Sequence, residues 1–397
     1  MSVTSVKSPF EGKFCTSPFE YCYIDRTGDL FLCCPGALPT VAGNLAESSF
    51  DEVWNSEIAQ AVRQTIHDGS FSHCWVEHCP FKDTHIRLEP RDEISTPYGR
   101  ELAETRRTAL AHGPKEIVIA YDPTCNLTCP FCRRGQVVPG RDEKERTRRI
   151  HERLWNEGLK DCELLCIAGD GDPFASPFYR EALQTFDATQ FPQLKIYLVS
   201  NGLLFTPRNW ESIRGAHPAI GRVNISINAA SATTFAINQR GGKWETLLEN
   251  LQFMKSLRQG GAIPFWSLSF IVQANNFREM PRFVELGTEL GVDMISFVQL
   301  MPGPLSPEEF EREAIHRPTH PAHAEFLEVM ANPSVPAANV IFNSLERFLP
   351  GARAHAAGGA PLETEDTAWL TSDDEIAWEE FSARIGLHPS QEGQVRA

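Results

Sequence analysis

The sequence predicts an α/β fold, a partial (β/α)6 barrel preceded by a small cysteine-rich domain, and three observations carry that expectation. Short apolar runs recur from residue 115 to 302; amphipathic stretches separate them in strict alternation; and the eleven cysteines of the 397-residue chain all lie ahead of residue 167. A formal net charge of −15 repels phosphate backbones, so nucleic acid is not an expected partner. No stretch offers the roughly twenty apolar residues of a membrane span. The first thirty residues, with Lys7, Glu11, Lys13, Glu20 and Asp25, carry no readable secretory signal. The expected location is the cytoplasm, where thiols stay reduced and serve metals rather than disulfides.

Six strands are predicted in the barrel region: Glu116–Tyr121, Glu163–Ala168, Leu194–Val199, Arg222–Ile227, Trp266–Val272 and Met294–Leu300. Helices are predicted between them near 142–157, 177–186, 207–214, 243–258 and 277–290, the last with Asn276 as its N-cap. Strand and helix in alternation imply parallel pairing with right-handed crossovers, and six units fit a partial TIM-like barrel better than a closed eightfold one. Ahead of residues 115–302 lie a cysteine-bearing domain over 1–84, whose apolar content reads as thin, and a linker over 85–114 with one helix around 99–111. Behind them, 303–397 reads as a helical extension with a short apolar run at Val340–Phe342. It ends in an acidic tail, where Pro361–Glu380 holds eight acids and no bases around Trp369 and Trp378.

Cys125, Cys129 and Cys132 follow the first predicted strand, at the end where barrel enzymes keep their chemistry. Three thiolates spaced C-x3-C-x2-C can hold an iron–sulfur cube and leave its fourth iron without a protein ligand, whereas structural zinc wants four ligands. A zinc knuckle completed by a distant histidine is the alternative. The run Tyr121-Asp122-Pro123-Thr124-Cys125-Asn126-Leu127-Thr128-Cys129-Pro130-Phe131-Cys132 resembles the signature of the radical S-adenosylmethionine (SAM) superfamily. The resemblance implies a [4Fe–4S] cluster on these three cysteines, whose open iron chelates the amino and carboxylate groups of SAM, with Phe131 near the adenine.

Other segments resemble that superfamily at later strand ends. Gly169-Asp170-Gly171-Asp172-Pro173 is similar to its Gly-Gly-Glu-Pro turn, with Gly169 and Gly171 admitting the methionine amine and Asp172 standing, with shorter reach, where Glu is usual. The same resemblance implies methionine or ribose contacts for Ser200, Asn201, Ser226 and Asn228, and a carboxylate partner in Arg240. It also implies adenine-lining roles for Val272 and Phe297, although core packing is the ordinary place for both.

Cys15-x12-Gly28-x4-Cys33, followed by Gly43-Asn44, Trp54-Asn55-Ser56, Cys74 and Cys79, resembles the SPASM/twitch auxiliary-cluster domain, here ahead of the barrel rather than behind it. It implies one closed auxiliary [4Fe–4S] cluster on Cys15, Cys33, Cys74 and Cys79, with Cys22 and Cys34 to spare; a zinc ribbon is the alternative. Cys162 and Cys166, four apart on the second predicted strand, read as core, and His316, His320 and His323 form no known metal pattern.

Together these resemblances imply an enzyme that reductively cleaves SAM to a 5′-deoxyadenosyl radical and abstracts hydrogen from a substrate. A ribosomally made peptide is the first expected substrate class and a small metabolite such as an aminosugar the second, with flavodoxin or ferredoxin as electron donor. An iron–sulfur electron carrier or redox sensor without SAM chemistry is the reading from a different class, against which the open three-cysteine set argues. The iron count follows: the anaerobically reconstituted chain should hold about eight irons, four per cube. Metal analysis that finds about four irons and one zinc would remove the auxiliary cluster and leave the other.

Overall fold

The computed structural model describes residues 10–82, 86–167 and 170–356; Gly169 and the acidic tail with Trp369 and Trp378 lie outside them. No helix among the described residues is long and apolar enough to cross a membrane. The fold is α/β with parallel strands, and the strand–helix alternation expected of a partial (β/α)6 barrel runs from Glu116 onward. The chain divides into two compact units, one of residues up to Pro123 together with Pro139–Asp170, the other of Thr124–Val138 with Gly171 onward.

The first unit contains β1 (Lys13–Cys15), β2 (Tyr21–Ile24), β3 (Asp29–Phe31), β4 (Val41–Asn44), β5 (Leu88–Pro90), β6 (Glu116–Ile119) and β7 (Leu164–Ile167). β1 pairs antiparallel with β5, and β2, β3 and β4 form an antiparallel meander. β2 also pairs in parallel with β6, and β6 with β7, so the cysteine-bearing segment extends the first strands of the barrel region. The stretch expected as a linker carries β5 and the helix Pro97–Thr105.

The thin apolar content expected of the cysteine domain is corrected by the structure. Phe14, Phe19, Leu30, Leu32, Phe50, Trp54, Val62 and Ile66 are all fully buried. Part of their cover comes from the helix Arg141–Arg153 and the π-helical turn Leu154–Gly158 that continues it, which a reading confined to residues 1–84 leaves out. Gly28 shows how close that packing is. Its φ is +93°, and a Cβ there would lie 2.8 Å from Ile150 Cδ1. The turn around it is tied by Asp25 Oδ1, which accepts from the amides of Thr27 and Asp29 and from the Thr27 hydroxyl, and by Asn44, which donates to Thr27 O and Asp29 Oδ1.

The second unit holds β8 (Lys195–Ser200), β9 (Ile220–Ser226), β10 (Trp266–Val272), β11 (Met294–Gln299) and β12 (Val340–Ile341), each parallel to the next in that order. Four helices in the two units begin with a hydroxyl residue and a proline, at Thr96-Pro97, Ser176-Pro177, Thr206-Pro207 and Ser306-Pro307. Each hydroxyl accepts from the amide three residues on, and each proline stands where no intrahelical donor is needed. Asn276 departs from the expected cap. Its Oδ1 accepts from Gln273 N while its Nδ2 donates to Asn228 O and Ile271 O, so it ties the end of β10 to the end of β9 instead. A helix at Ala232–Asn238, capped by Ser231, was not predicted because seven residues give too short a period to read.

Arg63 organises the first unit. It is wholly buried, stacks 4.5 Å over the Trp54 ring, and donates to Pro18 O, Trp54 O, Thr108 O and Asn55 Oδ1. No carboxylate is among those acceptors, and burial pushes its guanidinium down to about 9. Asn55 and Trp54 extend the same tie: Asn55 exchanges hydrogen bonds with both backbone groups of Leu110, and the Trp54 indole donates to His112 O. Arg63→Met keeps the apolar stem and orphans these carbonyls, and should cost roughly 3 kcal/mol or more. Urea unfolding of the full chain checks this, and an unchanged midpoint would show that the network contributes little.

Candidate functional site

The first cysteine set lies on the loop that opens the second unit. Cys132 N and Arg133 N both donate to Cys129 O, which turns the chain sharply enough to bring the third cysteine back toward the second. The loop is held at two further points: Thr124 O accepts from Asp172 N at 3.0 Å, and Thr128 N donates to Arg240 O at 3.0 Å. Cys125 and Cys129 are half-buried and Cys132 is exposed. Burial, and then the neighbouring Asp172 carboxylate, push the Cys125 thiol up to about 11; burial, and then Cys132 and Cys125, push Cys129 up to about 12. Arg133 opposes both shifts and donates to Cys132 Sγ at 3.6 Å. Three soft sulfur donors on one short loop, with the buried Arg133 cation beside them to offset thiolate charge, suit the ligation of an iron–sulfur cluster.

Asp172 is buried and its carboxylate is fully engaged. Oδ1 accepts from Phe174 N at 3.0 Å, and Oδ2 from Ser200 Oγ at 2.7 Å and Asn201 N at 3.0 Å. Burial raises its proton affinity, and these bonds oppose that rise. Gly171, at φ +91°, makes the turn that sets Asp172 in this position. Ser200 Oγ accepts in turn from Gly202 N, and Asn250 Nδ2 donates to Gly202 O and Leu203 O, so the turn after β8 is braced from both sides. Asn201 Nδ2 points to the cysteine loop, 2.9 Å from Asn126 Oδ1 and 3.7 Å from Cys125 Sγ.

Other residues expected at this site sit elsewhere or do other work. Ser226 Oγ lies 3.0 Å from Ser269 Oγ on β10. Asn228 adopts φ +54°, and its Oδ1 accepts from Ile271 N, which closes the end of β9 onto β10. Val272 is buried at 1% exposure, and Phe297 at 0% packs against the rings of Phe270, Phe283 and Phe342; both are core. The Arg240 side chain is exposed, and its carbonyl is what meets the cysteine loop. Phe131 packs, partly buried, on Leu300, Phe310 and Ala314.

Asn126, Arg133 and Asn250 were missed. Asparagine in a loop reads as a turn former and arginine as a surface charge, so only the position of Arg133 beside the third cysteine gave any signal.

The second cysteine set belongs to the first unit. Cys15 ends β1, Cys33 follows β3, and Cys74 and Cys79 lie on a loop tied to the meander by Trp75 N donating to Ala37 O at 2.8 Å. The four thiols act on one another. Burial, then Cys15, Cys33 and Cys79, hold Cys74 well above its ordinary range, and burial, partly opposed by Ser17 and reinforced by Cys34 and Cys79, pushes Cys33 up to about 12. Burial and then Cys33 raise Cys15, while Lys82 and Lys13 temper the rise at Cys79. Four cysteine sulfurs are the number that closes a cube. Cys34 is exposed, and Cys22 is buried on β2 near Cys162, so Cys22, Cys162 and Cys166 pack as core. Cys162 precedes β7 rather than lying on it.

Of the three histidines of the C-terminal region, two make backbone contacts and the third is buried. His320 Nε2 meets Arg312 O and His323 Nδ1 meets Ile315 O, while burial, and then Arg347 and Arg317, push His316 down to about 3.

Three cysteines on one loop and four more in the first unit, on an α/β scaffold of parallel strands, supply the ligand numbers of an open and a closed iron–sulfur cluster, the class that the comparisons with known proteins also give. Residues 121–287 match the Radical SAM superfamily and residues 15–80 match the SPASM iron–sulfur cluster-binding domain. The chain is thus a radical SAM protein with a SPASM domain ahead of its radical SAM domain, and these domains bring a [4Fe–4S] cluster, SAM and auxiliary iron–sulfur binding.

It is 27% identical over 214 residues to the AdoMet-dependent heme synthase of Methanosarcina barkeri (strain Fusaro / DSM 804), covering 51% of this chain and 58% of the relative. It is 25% identical over 191 residues to the GTP 3′,8-cyclase of Peptoclostridium acidaminophilum, covering 46% and 54%. The chain spans somewhat over half the length of these curated relatives. Among solved structures, Streptococcus suis SuiB bound to precursor peptide SuiA is 13% identical with a TM-score of 0.42, covering 83% of this chain and 72% of that one.

Replacing Cys125, Cys129 and Cys132 together by Ala should abolish reductive cleavage of SAM while leaving the absorbance of a cluster on the other set, since the two sets share no ligand. Continued production of 5′-deoxyadenosine by the triple variant would refute the assignment.

Proposed function

We propose that the protein is a radical SAM enzyme that abstracts a hydrogen atom from a ribosomally made peptide, with Cys125, Cys129 and Cys132 holding the SAM-binding cluster and Cys15, Cys33, Cys74 and Cys79 an auxiliary one. The observation that carries the reading is the difference between the two sets: three cysteines on one loop, one of them exposed, and four in the first unit, two of them buried. When bound, the first cluster and SAM supply one-electron cleavage of the sulfonium and a 5′-deoxyadenosyl radical.

The chain's own residues set the geometry. Asp172 fixes the turn after β8 by gripping Ser200 and Asn201, and the hydrogen bonds at Thr124 and Thr128 hold the cysteine loop against Asp172 and Arg240. Arg133 offsets negative charge beside Cys132. Phe131, seated on Leu300, Phe310 and Ala314, would offer an apolar surface to an adenine. A four-thiol auxiliary cluster has no open iron for a second SAM, which fits an electron outlet, and oxidation or crosslinking of a peptide needs such an outlet. The free thiols throughout the described residues fit a reducing cytoplasm and an electron donor such as flavodoxin or ferredoxin.

A candidate peptide deuterated at carbon should transfer label into 5′-deoxyadenosine, read by mass spectrometry. Transfer from a small metabolite such as an aminosugar, with none from any genomically adjacent peptide, would overturn the peptide reading and leave the radical chemistry standing.

A further inference from the structure

Asn201 was expected among the residues that hold SAM, yet its hydrogen bonds direct it to the cysteine loop. Its side-chain oxygen accepts from Leu203 N at 3.1 Å. That bond fixes which way the amide points, because an amide oxygen has no proton to give and the opposite rotamer would set two donors against each other. The Nδ2 group must then face the other way, where it lies 2.9 Å from Asn126 Oδ1 and 3.7 Å from Cys125 Sγ. Its two protons serve those two partners. The backbone is fixed as firmly, since Asn201 N donates to the buried Asp172 carboxylate at 3.0 Å. The residue is thus anchored at its amide nitrogen and its side-chain oxygen, which leaves the side-chain nitrogen as a positioned donor to sulfur.

We infer that Asn201 is a positioning residue for the cluster rather than a SAM ligand: its Nδ2 donates to the Cys125 sulfur and raises the reduction potential of the cluster that Cys125 helps to hold. The inference rests on the assignment of Cys125, Cys129 and Cys132 as cluster ligands. Its physical basis is that a hydrogen bond to a ligating sulfur favours the more electron-rich, reduced state of an iron–sulfur cluster. Asp172 contributes at one remove by holding Asn201, and the Arg133 donor at Cys132 acts in the same direction on another ligand.

The test is a potentiometric titration of the anaerobically reconstituted full-length protein without SAM, followed by electron paramagnetic resonance, comparing wild type, Asn201→Asp and Asn201→Ala. Asn201→Asp keeps the oxygen that Leu203 N needs and turns an acceptor toward Cys125; Asn201→Ala removes the donor without adding charge. Both variants should retain full iron and show the three-cysteine cluster at a more negative midpoint, the Asp variant further shifted than Ala, while the auxiliary cluster in the same sample keeps its midpoint. An unchanged midpoint accompanied by weakened SAM binding would overturn the inference and return Asn201 to the SAM site, and an unchanged midpoint with unchanged SAM binding would also overturn it. Loss of cluster loading in both variants would refute tuning in favour of a purely structural role for the turn. If wild type itself binds no cluster on Cys125, Cys129 and Cys132, the underlying assignment fails instead, and the iron count distinguishes that case.

Discussion

The candidate SAM site depends on one buried carboxylate. Asp172 ties three backbone segments by accepting from Phe174 N, Ser200 Oγ and Asn201 N, while its own amide donates to Thr124 O at the start of the cysteine loop. Burial raises its proton affinity above the ordinary carboxylate value of 3.8, so the folded chain binds that proton more tightly than the unfolded chain. The sign of the linkage follows: stability from this group falls as pH rises from 3.8 through the folded value. Above its folded value the carboxylate is retained at a cost to stability. A group kept on those terms is one whose position matters more than its contribution to folding.

The shorter reach of Asp172 accounts for its role. The sequence shows an aspartate where the family turn has glutamate, and one methylene fewer keeps the carboxylate inside the turn, against Ser200 and Asn201. The orientation of Asn201, the bracing of Gly202 and Leu203 by Asn250, and the anchoring of Thr124 all converge on that arrangement.

Much of this was legible in the sequence because parallel strands are buried on both faces and leave continuous apolar runs. All six predicted strands of the barrel region appear within two residues of their expected ends. Gly28 of the cysteine pattern proves necessary both for its φ and for the approach of Ile150. What the sequence could not show were contacts set by distant segments. The pairing of β2 with β6 has no local signature, nor does the burial of Arg63 among four carbonyl-type acceptors. Phe297 and Asn228 were assigned to the site from the family resemblance, but Phe297 lies within its strand, where a side chain can face either the core or the site, and pattern alone does not choose.

The two cysteine sets differ in the way their chemistry requires. At the auxiliary set Cys15 and Cys33 are buried, and each of the four thiols is raised chiefly by burial, so unligated sulfur there is protonated and poorly nucleophilic. Iron binding there would have to displace those protons. At the other set Cys132 is exposed, Cys125 and Cys129 are half-buried, and Arg133 with Asn201 supplies donors directed at sulfur. Partial exposure admits a ligand to an open iron, and donors to sulfur ease the arrival of an electron. Under the proposed function, the more buried set would relay charge and the more exposed set would deliver it.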